Sequence, residues 1–219
     1  MSRSLNNWLG VRRMSLPIKA EVKTHLSDYH SRIYQIVMQA WEEWEAISKY
    51  RAEQGIAPLL YSRTIANYVF DAIARKAILE FLSDDHINLI IEAQTIKIVF
   101  KGLVIGRFKK GDEHKLGRNI ATQAVLAFTD PQESFLGFPP ETVKVDFVWL
   151  SNDLCTRVKD ILVVARDNER LLWDYSIKDI VEDAGEVVTL PTAASPQGDD
   201  RTALVSPRGV REQVSKSKE

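Results

Sequence analysis

The hydrophobic period of the chain changes once, near residue 87, and no other feature of the sequence constrains its fold as strongly. Before this point, apolar residues recur at steps of three and four from about 17 to 53 and again from about 62 to 82, which predicts two long amphipathic helices. Ser62 is the expected N-cap of the second helix. Because the first pattern is longer than most globular helices, we expect a break near Ser27 or Ser31.

After this point, apolar and polar residues alternate in short runs that are rich in β-branched side chains. Strands are predicted at 95–100, 103–109, 143–149, 161–165 and 171–177. Lys101-Gly102 predicts a hairpin turn, and a short helix is expected from Asn119 to Phe128. Since the helices precede the strands and do not alternate with them, the sequence predicts an α+β fold. Its N-terminal half, with two main helices, would pack on a C-terminal antiparallel sheet of about five strands.

Composition divides the chain into an N-terminal arm (1–15), a single α+β domain (16–190) and a C-terminal segment (191–219). The last segment is rich in Ser, Pro, Gly and charge and lacks aromatic residues, which predicts a disordered tail. In the polar arm, Trp8 lies among a few apolar neighbours. It is a candidate anchor, either onto the domain or onto a partner.

Several classes of protein are disfavoured by what the sequence contains. No run of residues is long and apolar enough for a membrane span, and a single cysteine, Cys155, cannot form an internal disulfide. We therefore expect a cytoplasmic protein that does not bind membranes. His25 and His30 are five residues apart, on different helix faces, and no phosphate-cradling glycine loop or nucleophile elbow is present. The expectation is a non-enzymatic protein with no metal and no cofactor.

The strongest local asymmetry is the basic segment, which we define as Lys97 to Arg118. It has seven basic and two acidic residues in a chain with 29 Lys and Arg against 30 Asp and Glu. The candidate binding residues in and beside it are Lys97, Lys101, Arg107, Lys109, Lys110, Lys115, Arg118, Asn119 and Gln123. They could contact an acidic protein surface or a phosphate backbone. The alternative is that they protect a solvated hairpin edge, with Asn119 acting as a helix cap.

An acidic-x-Lys triplet supports a different function, that of a nucleic-acid-binding protein or metal-dependent nuclease. Nucleases of the restriction-enzyme type carry such a triplet at the end of a strand. Here Glu113-His114-Lys115 follows Asp112, but it lies in a predicted loop between Gly111 and Gly117.

The order of features also resembles a set of bacterial and prophage proteins encoded beside metallopeptidase-like proteins of the ImmA/IrrE type. The resemblance rests on Arg-Phe-Lys-Lys at Arg107–Lys110 and Asn-x-x-Thr-Gln at Asn119–Gln123, and it covers residues 25–180 approximately. It implies an antitoxin-like or immunity protein that occludes a toxin-like protein partner. A subunit of a phage or defence complex is the alternative, and the resemblance leaves the oligomeric state open.

Overall fold

The computed structural model describes residues 17–117, 122–131, 133–134, 137–139 and 141–185. These residues all belong to one compact unit. The predicted arm with Trp8, the predicted tail, Arg118 and Asn119 all lie outside the described residues.

The first predicted helix is divided where a break was expected. Helix α1 (Lys19–His25) is followed by a single 3-10 turn (Ser27–Tyr29) and then by α2 (His30–Glu53). The Ser27 hydroxyl donates to the carbonyl of Thr24 at 2.9 Å, an alternative to the helical ladder that suits a helix end.

Helix α3 (Ser62–Phe81) is the second predicted helix, but its predicted cap is wrong. Ser62 is the first helical residue, and the N-cap position is occupied by Tyr61, whose side chain makes no capping hydrogen bond. Helix α3 is therefore stabilised mainly by packing, with Val69, Ile73 and Ala77 fully buried.

The second half forms one six-stranded sheet whose strand order follows the chain. The strands are β1 (Ile87–Glu92), β2 (Thr95–Phe100), β3 (Val104–Lys110), β4 (Val143–Ser151), β5 (Val158–Asp167) and β6 (Arg170–Ser176). Two short helices complete the fold, α4 (Gln123–Thr129) between β3 and β4 and α5 (Ile177–Asp183) after β6. The α+β class with helices first is confirmed.

Two details of the sheet differ from the expectation. Residues Ile87–Glu92 add a sixth strand, paired antiparallel with β2. Strands β3 and β4 pair in parallel, whereas the other four pairings are antiparallel. The reason is the long connection from Gly111 to Thr142, which returns the chain to the end of the sheet where β3 started.

One face of the sheet, the helical face, carries α2, α3 and α5 and holds the main core. The Trp41 ring on α2 packs on Trp149 of β4 with a centroid distance of 5.9 Å, so the predicted core role of Trp41 is confirmed. Gly106 is required here, because a Cβ at this position would lie 2.1 Å from Cε2 of Phe147. Among the described residues, no helix has the length and apolar character needed to cross a membrane.

A buried polar pair links helix α2 to strand β6 across this core. Nε2 of His30 lies 3.0 Å from the hydroxyl of Tyr175 on β6, and the two side chains are nearly excluded from solvent. Burial, with a smaller contribution from the Lys23 ammonium, lowers the pKa of His30 to about 4. Burial also raises the pKa of Tyr175. Both groups are therefore neutral at physiological pH.

The opposite side of the sheet, the second face, is covered by α4 and its flanking loops. Phe128 of α4 packs with Val99 and Ile105. Nζ of Lys144 donates to the carbonyls of Ala127 at 2.7 Å and Glu133 at 2.6 Å, and also to that of Asp130. This lysine therefore ties the C-terminal end of α4 to β4.

The predicted helix from Asn119 to Phe128 is shorter than expected at its start. Helix α4 begins at Gln123, and Thr122 is its N-cap, with Oγ1 accepting from the backbone N–H of Val125 at 3.3 Å. The hydroxyl of Thr122 satisfies one of the unpaired N–H groups of the first turn, so the helix needs no cap from Asn119.

Candidate functional site

Charged side chains form a row across the second face of the sheet. Cross-strand neighbours in this row are Lys97 on β2, Arg107 on β3, Asp146 on β4, Val164 on β5 and Asp174 on β6. Neighbours in register project from the same face of a sheet. The row therefore places charged side chains of four strands on one face, with the apolar Val164 of β5 between Asp146 and Asp174.

The centre of the row is a buried ion pair between Arg107 and Asp146. Nε of Arg107 donates to Oδ1 of Asp146 at 2.6 Å, and the two side chains are 3% and 1% exposed. The guanidinium also lies 4.2 Å from the ring centroid of Phe128. Nη2 of Arg107 and Oδ2 of Asp146 are buried without a hydrogen-bond partner in the described part of the chain. The pair is thus desolvated and incompletely satisfied, which is costly for charged groups.

A second cation contacts the Asp146 carboxylate, and a third lies nearby. Nη1 of Arg166 lies 3.6 Å from Oδ2 of Asp146. Lys109, two residues beyond Arg107 on the same face, has a lowered pKa because of burial first and the Arg107 charge second. The Lys109 side chain makes no hydrogen bond or ion pair with the residues that the structure describes. Three cations around one carboxylate leave this cluster with excess positive charge, and we call Arg107, Lys109, Asp146 and Arg166 the cation cluster.

A cavity of about 430 Å³ adjoins the cation cluster. Its walls come from the loop 111–117, from α4 and from the β5–β6 turn, and Arg166 is one of its lining residues. Nη1 of Arg166 donates to the carbonyl of Gly117 at 3.2 Å, and its Nε donates to that of Asn168 at 2.5 Å. Gly117 in turn lies against Lys109, since a Cβ on Gly117 would be 2.7 Å from Cβ of Lys109. Arg166 therefore belongs to both the cavity and the cluster, and Lys109 lies behind the lining residue Gly117.

The other lysines of the basic segment are distributed over different surfaces. Nζ of Lys97 donates to Glu92 at 2.5 Å and is buried, whereas Lys101, in the hairpin turn, pairs with Asp28 at 2.9 Å. Strands β2 and β3 are interior strands of the sheet. The interpretation of these residues as edge protection is therefore wrong, because neither strand has a free edge.

At the C-terminal end of β3, neighbouring lysines point in different directions. Nζ of Lys110 lies 3.4 Å from Sγ of Cys155, on the helical side, and Lys115 pairs with Asp174 at 2.8 Å on the second face. Gln123 is exposed at the first turn of α4. Among the described residues, the predicted site is therefore divided into a buried cluster and isolated ion pairs, and it forms no continuous basic stripe.

The acidic-x-Lys triplet does not acquire the geometry of a nuclease centre. Oδ1 of Asp112 accepts from the backbone N–H groups of His114 at 2.9 Å and Leu116 at 3.2 Å, so it closes its own loop. The Glu113 side chain is 87% exposed. Within the described ranges, no three His, Cys, Asp or Glu side chains are grouped as a metal site.

Strand β1 is an outer strand of the described sheet. The N–H of Lys101 donates to the carbonyl of His86 at 2.8 Å, so these two residues form a hydrogen-bonded pair. Hydrogen-bonded pairs alternate along antiparallel strands, and the main-chain groups of Asn88 and of every second residue after it therefore point toward β2. The main-chain groups of Leu89 and Ile91 therefore point outward. The Ile91 side chain is 64% exposed.

Two components of these surfaces were not predicted from the sequence. Asp146 and Arg166 complete the cation cluster, and the signal for Asp146 was a lone carboxylate in the mostly apolar stretch from Val143 to Leu150. The outer strand β1 was also missed.

No protein-family model, no curated protein and no solved structure matches the chain.

Proposed function

We propose that this protein binds another protein, and that an extended segment of the partner pairs with β1 as an additional strand. The observation that supports the proposal is the outer side of β1, where the main-chain donors and acceptors of Leu89 and Ile91 face away from β2. Backbone groups of this kind bind an extended peptide, and alternate side chains then provide specificity.

The composition of β1 supports an apolar, extended partner segment. Natural edge strands are protected by lysine, proline or bulges, but β1 has none of these between Ile87 and Glu92. Leu79 and Leu82, at the end of the helix that leads into β1, are 73% and 74% exposed. Exposed apolar side chains at the end of the helix that precedes the outer strand also favour a partner that buries them.

The sequence resemblance supports the proposal of one class of binding protein. As an antitoxin-like or immunity protein, it would occlude its partner sterically, without chemistry of its own. The competing nucleic-acid function has less support, because most lysines of the basic segment are held in internal ion pairs.

The edge can be tested with a pair of substitutions at one position. Ile91→Pro removes an outward N–H without removing a β1–β2 hydrogen bond, whereas Ile91→Thr keeps this N–H and the β propensity. Affinity purification from host cells, with nuclease treatment, should recover one stoichiometric protein with wild type and with Ile91→Thr. It should recover much less of that protein with Ile91→Pro, while circular dichroism shows that both variants are folded.

Hydrogen exchange shows whether the partner or the chain itself covers the outer edge of β1. In the isolated protein, the amides of Leu89 and Ile91 should exchange quickly, and they should become protected in the complex. Protection of both amides in the isolated protein would show that the chain covers its own edge, which refutes the proposal. Equal recovery with Ile91→Pro, or loss of the partner on nuclease treatment, would refute it as well.

A further inference from the structure

We propose that the cation cluster and the adjoining cavity bind the phosphate group of a small phosphorylated molecule. The inference is independent of the proposed function, because it concerns the second face of the sheet and not the β1 edge.

The charge of the cluster is the first argument. Arg107 and Arg166 contact a single carboxylate, Asp146, and Lys109 lies within electrostatic reach of it. The Nη2 group of the 3%-exposed Arg107 has no acceptor among the described residues. Buried donors without acceptors are uncommon in native proteins and call for an explanation such as a ligand. A doubly charged oxyanion would provide acceptor oxygens and neutralise the excess charge.

The electrostatics of Lys109 also support binding of an anion. Its amine is half-buried near two guanidinium groups and the Asp146 carboxylate, and its pKa is lowered by burial first and by the Arg107 charge second. A bound phosphate would favour the charged ammonium and raise this pKa. The residues that follow Gly117, from Arg118 to Ala121, include no carboxylate in their sequence that could act as the counter-ion.

The size and lining of the cavity define the ligand class. A volume of about 430 Å³ lies in the range of small-molecule sites. Leu116, Val125 and Leu126 give part of its lining an apolar character, and Asn168 and Thr129 add polar groups. Two carboxylates also line the cavity. Asp112 accepts hydrogen bonds within its own loop, and Glu169 lies in the exposed β5–β6 turn. A ligand with a phosphate and a partly apolar body fits this lining.

The test measures binding of inorganic phosphate and of adenosine monophosphate by calorimetry and thermal unfolding, with chloride at equal ionic strength as the reference. A ligand that binds only the folded state raises its melting temperature with concentration. We expect both phosphates to raise it, and adenosine monophosphate to bind more tightly because it also fills the cavity.

Variants connect this binding to the cluster. Lys109→Met and Arg166→Gln should each weaken phosphate binding by about tenfold or more, as loss of a charge-assisted contact does. Lys49→Met is the matched control, since Lys49 lies on α2 with 79% of its side chain exposed, and its binding should equal that of wild type. The ¹⁵Nζ resonance of Lys109 provides a second measurement in the wild-type protein, and phosphate should raise the pKa that it reports.

Three results would overturn the proposal. One is an equal effect of phosphate and chloride, which would indicate general ionic screening. Another is undiminished binding by folded Lys109→Met together with an unchanged Lys109 pKa. The third is binding of a single-stranded oligonucleotide without binding of either small phosphate, which would assign the face to a nucleic-acid backbone.

Discussion

The buried His30–Tyr175 pair predicts how the stability of the fold depends on pH. The pKa of His30 is about 4 in the folded protein, compared with about 6.5 for an unperturbed histidine in the unfolded chain. Because the folded-state pKa is the lower one, protonation favours the unfolded state. The contribution is therefore complete above pH 6.5 and is lost as the pH falls from 6.5 through 4.

The magnitude follows from the difference between the two pKa values. Each pKa unit corresponds to about 1.4 kcal/mol, so His30 alone should reduce the free energy of unfolding by about 3 kcal/mol between pH 7.5 and pH 4. The substitution His30→Gln removes the titration and retains a side chain that can hydrogen-bond to the Tyr175 hydroxyl. The variant should be less stable than wild type at pH 7.5, and this difference should shrink by about 3 kcal/mol at pH 4.

Urea unfolding of both proteins at steps between pH 7.5 and 4, followed by tryptophan fluorescence, measures this difference. Subtracting the variant's free energy of unfolding from that of wild type at each pH removes the contributions of the carboxylates that the two proteins share. The imidazole pKa can also be measured directly by NMR. A wild-type-minus-variant difference that stays constant across the pH range, or an imidazole pKa near 6.5, would refute the reasoning.

Two further predictions concern packing and charge in the sheet. Gly106→Ala should destabilise the fold by about 2 kcal/mol in urea unfolding, since the added methyl group overlaps the Phe147 ring. Equal stability of the variant and wild type would show that the ring can move aside at little cost. Asp146→Asn should reduce the free energy of unfolding by about 3–5 kcal/mol, because it leaves the buried Arg107 without its counter-charge. A loss below about 1 kcal/mol would indicate that water already solvates this pair.

The class of the fold was predictable because periodicity reports directly which side of an element is buried. The stripe on α2 and the alternation in β2 and β4 placed Trp41 and Trp149 in the core, where the structure has them. Strand β1 was missed because Ile87 to Glu92 has a run of apolar residues without regular alternation. Parallel pairing of β3 with β4 was not predictable, since alternation is the same for either direction.

The candidate site was predicted in part, for a reason of strand geometry. Basic residues that are neighbours in the sequence, such as Lys109 and Lys110, project to opposite faces of β3, so counting charge along the chain overstated the basic surface. The more informative signal was a charge at an alternating position within an apolar strand, as at Lys97, Arg107 and Asp146. The predicted antitoxin function, the phosphate-backbone alternative and the cytoplasmic location stay predictions.

The parallel pairing of β3 with β4 gives the Arg107–Asp146 ion pair a role in assembling the sheet. Strands β1 to β3 and strands β4 to β6 are each built from neighbours in sequence, whereas the junction between them depends on a long connection. Local pairings form early and non-local ones late, so the two halves should form before they join. A slip of one residue at the junction would turn Asp146 toward the helical face, away from Arg107. We therefore expect the ion pair to favour the register in which the two halves of the sheet join.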